Sequence, residues 1–250
     1  MESKSSKRYT RYSMKILVIG DSCIDNFVYC DISRLCPEAP VPVLQPINTV
    51  TNAGMAGNVV RNLIALGAEV ELITNETNIR KTRYVDNKSG QMIMRLDEND
   101  VCDAYNGNSY DPGYDAIVIS DYDKGFLTEY DIQTWLVNAK CPTFVDTKKH
   151  LTEFAHEADF IKINKPEWDK NSHYDGDNII VTDGKNGATY KNKNYPVEAE
   201  VKVSNVSGAG DTFLAGLVYA YVKSDNITEA ISFANQCASK VVQERGVTVI

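Results

Sequence analysis

Two glycines, an alanine and an aspartate stand together at Gly208-Ala209-Gly210-Asp211, and an apolar run of helical period, Phe213 to Val222, follows at once. A helix N-terminus presents unpaired N–H groups and about half a positive charge, so it attracts anions whose oxygens can come close. Side chains would block that approach. Gly208, Ala209 and Gly210 withdraw them and leave backbone donors able to cradle a phosphate oxygen. The carboxylate of Asp211, one residue on, supplies what phosphoryl transfer to an alcohol also needs, a base for the hydroxyl proton. Without that chemistry, the same residues read as a glycine-rich turn with Asp211 as a helix-start residue.

Such a loop needs a scaffold, and the chain supplies the pattern of one. "KILVIGDS" places four consecutive apolar residues, Ile16 to Ile19, before Gly20, as in a buried parallel strand followed by a tight turn. Similar runs recur at "VELIT", "AIVIS", "TFVD", "FIKI" and "IIVT". Helical patterns lie between several of them. "GNVVRNLIALG" puts Val59, Val60, Leu63, Ile64 and Leu66 on a broad face, with Gly67 as C-cap. Asp211 to Lys223 and about Thr228 to Gln243 read as two further helices, the second facing Ile231, Ala234, Ala238, Val241 and Val242 inward. The expected fold is α/β with a doubly wound, mostly parallel sheet.

Two segments break that rhythm. The stretch "SRLCPEAPVPVLQPINTV" carries four prolines in ten residues, which suits an extended edge segment and neither a helix nor a central strand. "KTRYVDNKSGQMIMRLDEND" reads as two strands around the polar turn "DNKSG". Together, over about 27–52 and 80–97, they are expected to form a small projecting β lid. Residues 1–14, basic and without period, read as a flexible tail before one domain at 15–250.

Composition narrows the function classes. A formal net charge of −8 argues against general nucleic-acid or membrane-surface binding. No apolar run reaches the ~20 residues of a spanning helix, so a cytoplasmic address is expected. Six cysteines without a C-x-x-C pair read as reduced thiols.

The chain resembles the ribokinase-type (PfkB) sugar kinases at two signatures. Asn205-Val206-Ser207-Gly208-Ala209-Gly210-Asp211 is similar to that family's Asp-Thr-x-Gly-Ala-Gly-Asp, and "AGMAGNVVRNLIALGA" to its Gly-Gly-x-x-x-Asn, with Gly54 and Asn58 on the matching positions. The similarity runs from about Lys15 to Ile250. It is closest to the kinase domain of the bacterial D-glycero-D-manno-heptose 7-phosphate kinase/adenylyltransferase, through "GDSCIDNF", "SRLCPEAPVPVL", "MRLD" and "SDYDKG".

The resemblance implies an ATP- and Mg2+-dependent kinase acting on a phosphosugar, most simply at the anomeric hydroxyl of a heptose 7-phosphate. Asp211 would be the base, with Gly208, Ala209 and Gly210 as anion hole. Asp25, Gly54 and Asn58 would form the sugar floor, although Asp25 and Asn58 read alone are a turn aspartate and a helix-start asparagine. Arg83, Arg95 and Lys124 are candidates for the sugar's phosphate, or simply solvated charges. Asn164 and Glu167 of "NKPE" would organise the magnesium shell, with Glu167 as metal ligand. Thr182, Gly184 and Gly187 would line the nucleotide phosphates and ribose, and Asn235 the adenine. Asn205 and Met55 depart from the signatures, at a usual aspartate and a usual second glycine.

The links from Thr74 to Lys81 and from Glu167 to Asn178 are short where family members carry helices, so sheet surface is expected to be covered by a second subunit, through the lid, in a homodimer. Two alternatives stay open: a kinase of the same fold for a simple hexose, ribose or nucleoside, and a sugar- or nucleotide-binding module without turnover. A dinucleotide-binding dehydrogenase is disfavoured, because "VIGDSC" lacks the Gly-x-Gly-x-x-Gly turn.

Overall fold

The computed structural model describes residues 14–107, 113–197, 206–244 and 248–250. In chain order these form β1 (Lys15–Gly20), β2 (Ser22–Asp31), β3 (Gln45–Met55), α1 (Ala56–Ala65), β4 (Glu69–Ile73), β5 (Ile79–Asp86), β6 (Met92–Glu98), β7 (Ala116–Asp121), α2 (Glu129–Asn138), β8 (Thr143–Thr147), β9 (Phe160–Asn164), α3 (Lys165–Lys170), β10 (Ile179–Thr182), β11 (Ala188–Tyr190), β12 (Lys193–Tyr195), α4 (Ala209–Ser224) and α5 (Ile227–Val241). Short 3-10 turns occupy Glu153–Glu157 and Gly184–Asn186. The expected tail lies outside the described residues except for Met14, which packs against the core. Asn205 also lies outside them.

The eight-stranded main sheet runs β12-β11-β10-β9-β8-β7-β1-β4. It is parallel from β10 through β4 and closes at the other end with the antiparallel β11 and β12. The apolar runs become strands because both faces are covered. Ile16 and Val18 of β1 enter the cluster under α1, α4 and α5, while Leu17 and Ile19 enter the opposite cluster with Ile132, Trp135 and Leu136 of α2. Parallel strands covered on both faces are the doubly wound layout that the alternation of runs and helices predicts.

Two helical details differ from expectation. Ile64 is 55% exposed, because the buried stripe of α1 is narrow and runs through Ala56, Val59 and Leu63. The helices α2 and α3 have weak apolar signals and are declared by their caps: Thr128 with Asp131, and Asn164 with Glu167, form reciprocal capping boxes. α3 runs into the start of the short link that follows Glu167.

The second sheet, in the order β3-β2-β5-β6, takes β3, β5 and β6 from the two segments that broke the rhythm, but its inner strand β2 comes from the stretch directly after β1 and begins before the expected lid. β5 and β6 form the expected hairpin, and β3 carries Pro46 on the sheet's edge. The sheets meet where β1 passes into β2 through Gly20 and Asp21. A Cβ at Gly20 would stand 1.8 Å from the Ser120 carbonyl oxygen of β7, so nothing larger than glycine fits between these paired strands. Gly20→Ala is expected to cost at least the ~1–3 kcal/mol of an overpacked core. A urea-unfolding midpoint equal to the parent's would refute this account of the junction.

Candidate active site

Asp21 is the first fixed point. Fully buried at the carboxyl end of β1, its side chain accepts from the Tyr122 N–H at 2.6 Å and the Phe126 N–H at 3.4 Å, while its carbonyl accepts from the Ala56 N–H at 3.0 Å. One residue thus ties the start of α1 and the loop after β7 to the central strand. Met55, just before α1, has φ +58° and ψ −132°, a region that favours glycine and costs a larger residue of order 1–3 kcal/mol. The departure from the second glycine therefore falls on a strained backbone, with the Met55 side chain buried against Cys23 and Ile79.

α4 is entered through Gly208, its N-cap, whose φ of +80° is left-handed and which offers no side-chain cap. The Ala209 N–H reaches the Val206 carbonyl at 3.3 Å, and the Gly210 and Asp211 N–H groups meet no acceptor among the described residues. Asp211, in the first turn, is 5% exposed. Its Oδ2 accepts from Asn58 Nδ2 at 2.9 Å and its Oδ1 from the Tyr122 hydroxyl at 2.5 Å. Burial pushes its carboxyl up to about 6, although the bonds from Tyr122 and Asn58 pull it down. Asp146 adds to the rise and Lys162 opposes it. A carboxyl poised near neutrality is suited to exchange protons.

Beneath the glycines lies a buried ion pair, Lys162 with Asp146 at 2.5 Å, their side chains 4% and 3% exposed. A Cβ at Gly210 would stand 2.9 Å from Lys162 Nζ, so the loop is bare partly because an ammonium group lies directly under it. Burial works against the Asp146 charge, but Lys162 and Lys148 outweigh it and hold the carboxyl below its usual range.

Lys148 joins this centre to the next. Its ammonium bonds Glu167 Oε1 at 2.6 Å, lies 3.7 Å from Asp146 Oδ1 and stands 5.3 Å from the centroid of the Tyr122 ring. Glu167 Oε2 accepts from the Asn164 N–H at 3.2 Å in the capping box of α3. A cavity of about 270 Å³ opens beside them, lined by Lys148, Lys149, His150, Glu167 and Lys170 among others.

The second sheet's register decides what faces what. Asp25 pairs with Lys81 and Phe27 with Arg83 across β2 and β5; Lys81 pairs with Asp97 and Arg83 with Arg95 across β5 and β6. On β3, Gly54 lies opposite Cys23, and a Cβ there would be 2.4 Å from Asp25 Oδ2. Asp25, Gly54, Arg83 and Arg95 therefore share one face. Arg83 bonds Asp25 at 2.5 Å and Arg95 is held by Asp97 at 2.6 Å. Lys124 reaches the same side through Asp100, which it bonds at 2.6 Å and which Lys81 approaches at 3.7 Å.

Two of the residues assigned to the nucleotide, Gly187 and Asn235, meet elsewhere, at the Tyr195 carbonyl. Asn235 Nδ2 donates to it at 2.8 Å, and a Cβ at Gly187, whose φ is +85°, would meet it at 2.1 Å. Gly184 also has positive φ, and the Thr182 hydroxyl donates to the Ile163 carbonyl at 3.3 Å. Asn235 is buried in this bond and is not a polar residue on an open helix face.

The sequence reading missed Asp21, Lys81, Tyr122, Asp146, Lys148 and Lys162 as site residues. Lys162 had a signal: it is a single charge inside the otherwise apolar run "FIKI". All six cysteines are free. Among the described residues no group of three or more His, Cys, Asp or Glu side chains could hold a metal, and no helix is long and apolar enough to cross a membrane.

Known structures share this layout. The nucleoside kinase of Methanocaldococcus jannaschii, an archaeal member of the ribokinase family, superposes with a TM-score of 0.69 at 19% identity, over 93% of this chain and 92% of that one. Arabidopsis thaliana ribokinase, complexed with ribose and ATP, gives 0.70 at 15% identity over 94% and 95%. The fold is therefore the ribokinase-type fold. Residues 135–250 match the profile of the pfkB family carbohydrate kinases. The bifunctional protein HldE of a Nitratiruptor species is 32% identical over 93% of this chain. The chain is thus similar to the pfkB family carbohydrate kinases over its C-terminal residues and to the HldE proteins along most of its length. It spans 62% of the length of that Nitratiruptor relative.

The buried pair under the loop generates a prediction. Lys162→Met leaves Asp146 only the more distant Lys148, at 3.7 Å, and is expected to cost about 3–5 kcal/mol, read by urea unfolding. Adding Asp146→Leu should restore most of the loss. A single variant as stable as the parent would show that the pair is not compensated as described.

Proposed function

We propose that this chain is an ATP-dependent sugar kinase that transfers the γ-phosphoryl group to a hydroxyl of a phosphorylated sugar, the anomeric hydroxyl of a heptose 7-phosphate being the first candidate. The observation that carries the reading is Asp211, a carboxylate buried at the bare head of α4 with its pKa raised to about 6. In this reading Asp211 takes the proton of the sugar hydroxyl, and the Gly210 and Asp211 amides with the positive end of α4 hold the migrating phosphoryl oxygens. Asp25, Gly54 and Asn58 position the sugar, and Thr182, Gly184, Gly187 and Asn235 flank the nucleotide. The relatives named bifunctional protein HldE support the phosphosugar, as do the cations Lys81, Arg83 and Arg95 on one face of the second sheet.

The residues present fit a magnesium ion. Glu167 already carries a cation, the Lys148 ammonium on Oε1, and magnesium binds through few carboxylates with phosphates and waters completing its shell. Glu167, oriented by Asn164, would hold it, and the bound ion would neutralise charge on the triphosphate.

The second sheet serves as lid and as the contact of a homodimer in the cytoplasm. Its outer strands expose Ile47, Met92, Met94 and Leu96 at 44–61%, more apolar surface than an isolated edge sheet usually leaves open. A monomeric mass by light scattering at micromolar concentration would remove the dimer.

One observation favours a different substrate in the same fold. Arg83 and Arg95 are already bonded to Asp25 and Asp97, so a neutral sugar would leave those pairs intact. A sugar panel in a coupled ADP assay separates the two: Arg83→Ala should raise KM tenfold or more for a phosphosugar and leave a neutral sugar's KM nearly unchanged.

Two outcomes test the chemistry. Asp211→Asn should lower ADP production by a factor of ~10²–10⁴, with ATP still raising the melting temperature. The kcat/KM profile should lose activity as pH falls through about 6, because protonation disarms the base. Undiminished turnover in the variant, or a profile flat down to about pH 5, would sink the proposal.

A further inference from the structure

Tyr122 is placed with more care than the reaction above requires of it. Its main-chain N–H is fixed by Asp21, its hydroxyl reaches Asp211 Oδ1 at 2.5 Å, and its ring carries the Lys148 ammonium at 5.3 Å. The loop that presents it is held in an unusual shape: Asp123 has φ +56° and Gly125 φ +102°, and the Lys124 carbonyl accepts from the Cys102 N–H at 2.8 Å. The phenol thus sits between the centre around Asp211 and the one around Glu167.

We propose that Tyr122 is the positioning residue of Asp211: its hydroxyl fixes the orientation of that carboxylate and stabilises its charge, and Asp21 holds Tyr122 in place from the end of β1. Two rigid donors on opposite oxygens, Tyr122 on Oδ1 and Asn58 on Oδ2, leave the carboxylate one orientation at the head of α4. A carboxylate has about four lone-pair sites, so both bonds leave room for an incoming hydroxyl.

The electrostatics agree with the geometry. Asp211 is faced by Tyr122 from the loop after β7, Asn58 from α1, Asp146 from β8, Lys148 just after β8, Lys162 from β9 and Cys23 from β2. Burial raises its carboxyl, and the bond from Tyr122 leads the opposing contributions. Burial and the nearby Asp211 and Asp146 charges also push the Tyr122 phenol well above its ordinary range, so it stays a proton donor throughout the working pH range. Removing its hydroxyl leaves the burial, Asp146, Lys148 and Lys162 in place and takes away a donor. The sign follows: the carboxyl must titrate at higher pH.

The inference rests on the kinase reading for its kinetic consequence and not for its titration. The test is carbon-13 NMR of the full chain labelled at aspartate carboxyls, with the Asp211 signal assigned by its loss in Asp211→Asn. In Tyr122→Phe the Asp211 midpoint should move up by about one pH unit. The acid limb of kcat/KM should move with it, with the KM for ATP unchanged and the rate recovering at alkaline pH. A role confined to packing would lower the rate at every pH and leave the midpoint where it was. Because Tyr122→Phe could fail to fold, the unmutated chain labelled at tyrosine provides a second reading. The Tyr122 ring carbon next to oxygen should inflect at the Asp211 midpoint. A stationary midpoint in a folded Tyr122→Phe, or no such inflection in the parent, overturns the proposal. A midpoint that moves in a chain without kinase activity upholds the positioning and removes only the kinase reading.

Discussion

A carboxylate taken out of water at the head of a helix must be compensated on every side, and in this protein that demand organises the molecule around Asp211. Isolated burial of such a charge would neutralise it. Asn58 of α1 and Tyr122 of the loop after β7 supply donors, and Lys162 of β9 supplies positive charge under the loop. These groups come from elements far apart in the chain. They converge because the parallel strands β1, β7, β8 and β9 are neighbours and turn their carboxyl ends to the same side, where open α/β folds bind their ligands.

The same edge holds further buried charge. Asp21 closes β1, Asp121 ends β7 bonded to Thr147 and Lys149, and Asp146 of β8 pairs with Lys162. Well-packed apolar residues would often be at least as stable in such places. A row of compensated charges across four strand ends is what a reaction that moves charged groups requires, and it sets stability against pre-organisation.

The second sheet is the less self-sufficient part. β3 and β6 leave apolar side chains exposed, while the face joining Asp25, Lys81 and Arg83 is nearly closed. β1 runs directly into β2, so the sheet is anchored through Gly20 and Asp21, the residues that also fix the start of α1 and the Tyr122 loop. A displacement of the second sheet would therefore bear on Asn58 and Tyr122, the two donors to Asp211.

Most of the fold was legible in the residues, because buried parallel strands are uninterrupted apolar runs and their helices carry a stripe. Asp211 with its glycines was legible too, since a bare helix start beside a carboxylate is a local pattern. α2 was obscured by a narrow apolar stripe and α3 by having none, and Ile64 was expected inward because the buried stripe of α1 is narrower than its apolar face. Tertiary structure alone decided what surrounds the base. Tyr122, Asp146, Lys148 and Lys162 lie 49 to 89 residues from Asp211 along the chain, and no local spacing records which strand ends will adjoin. Nor could composition show that Arg83 spends its charge on Asp25: the partner of a cation is set by β-sheet register, which forms only when distant strands pair.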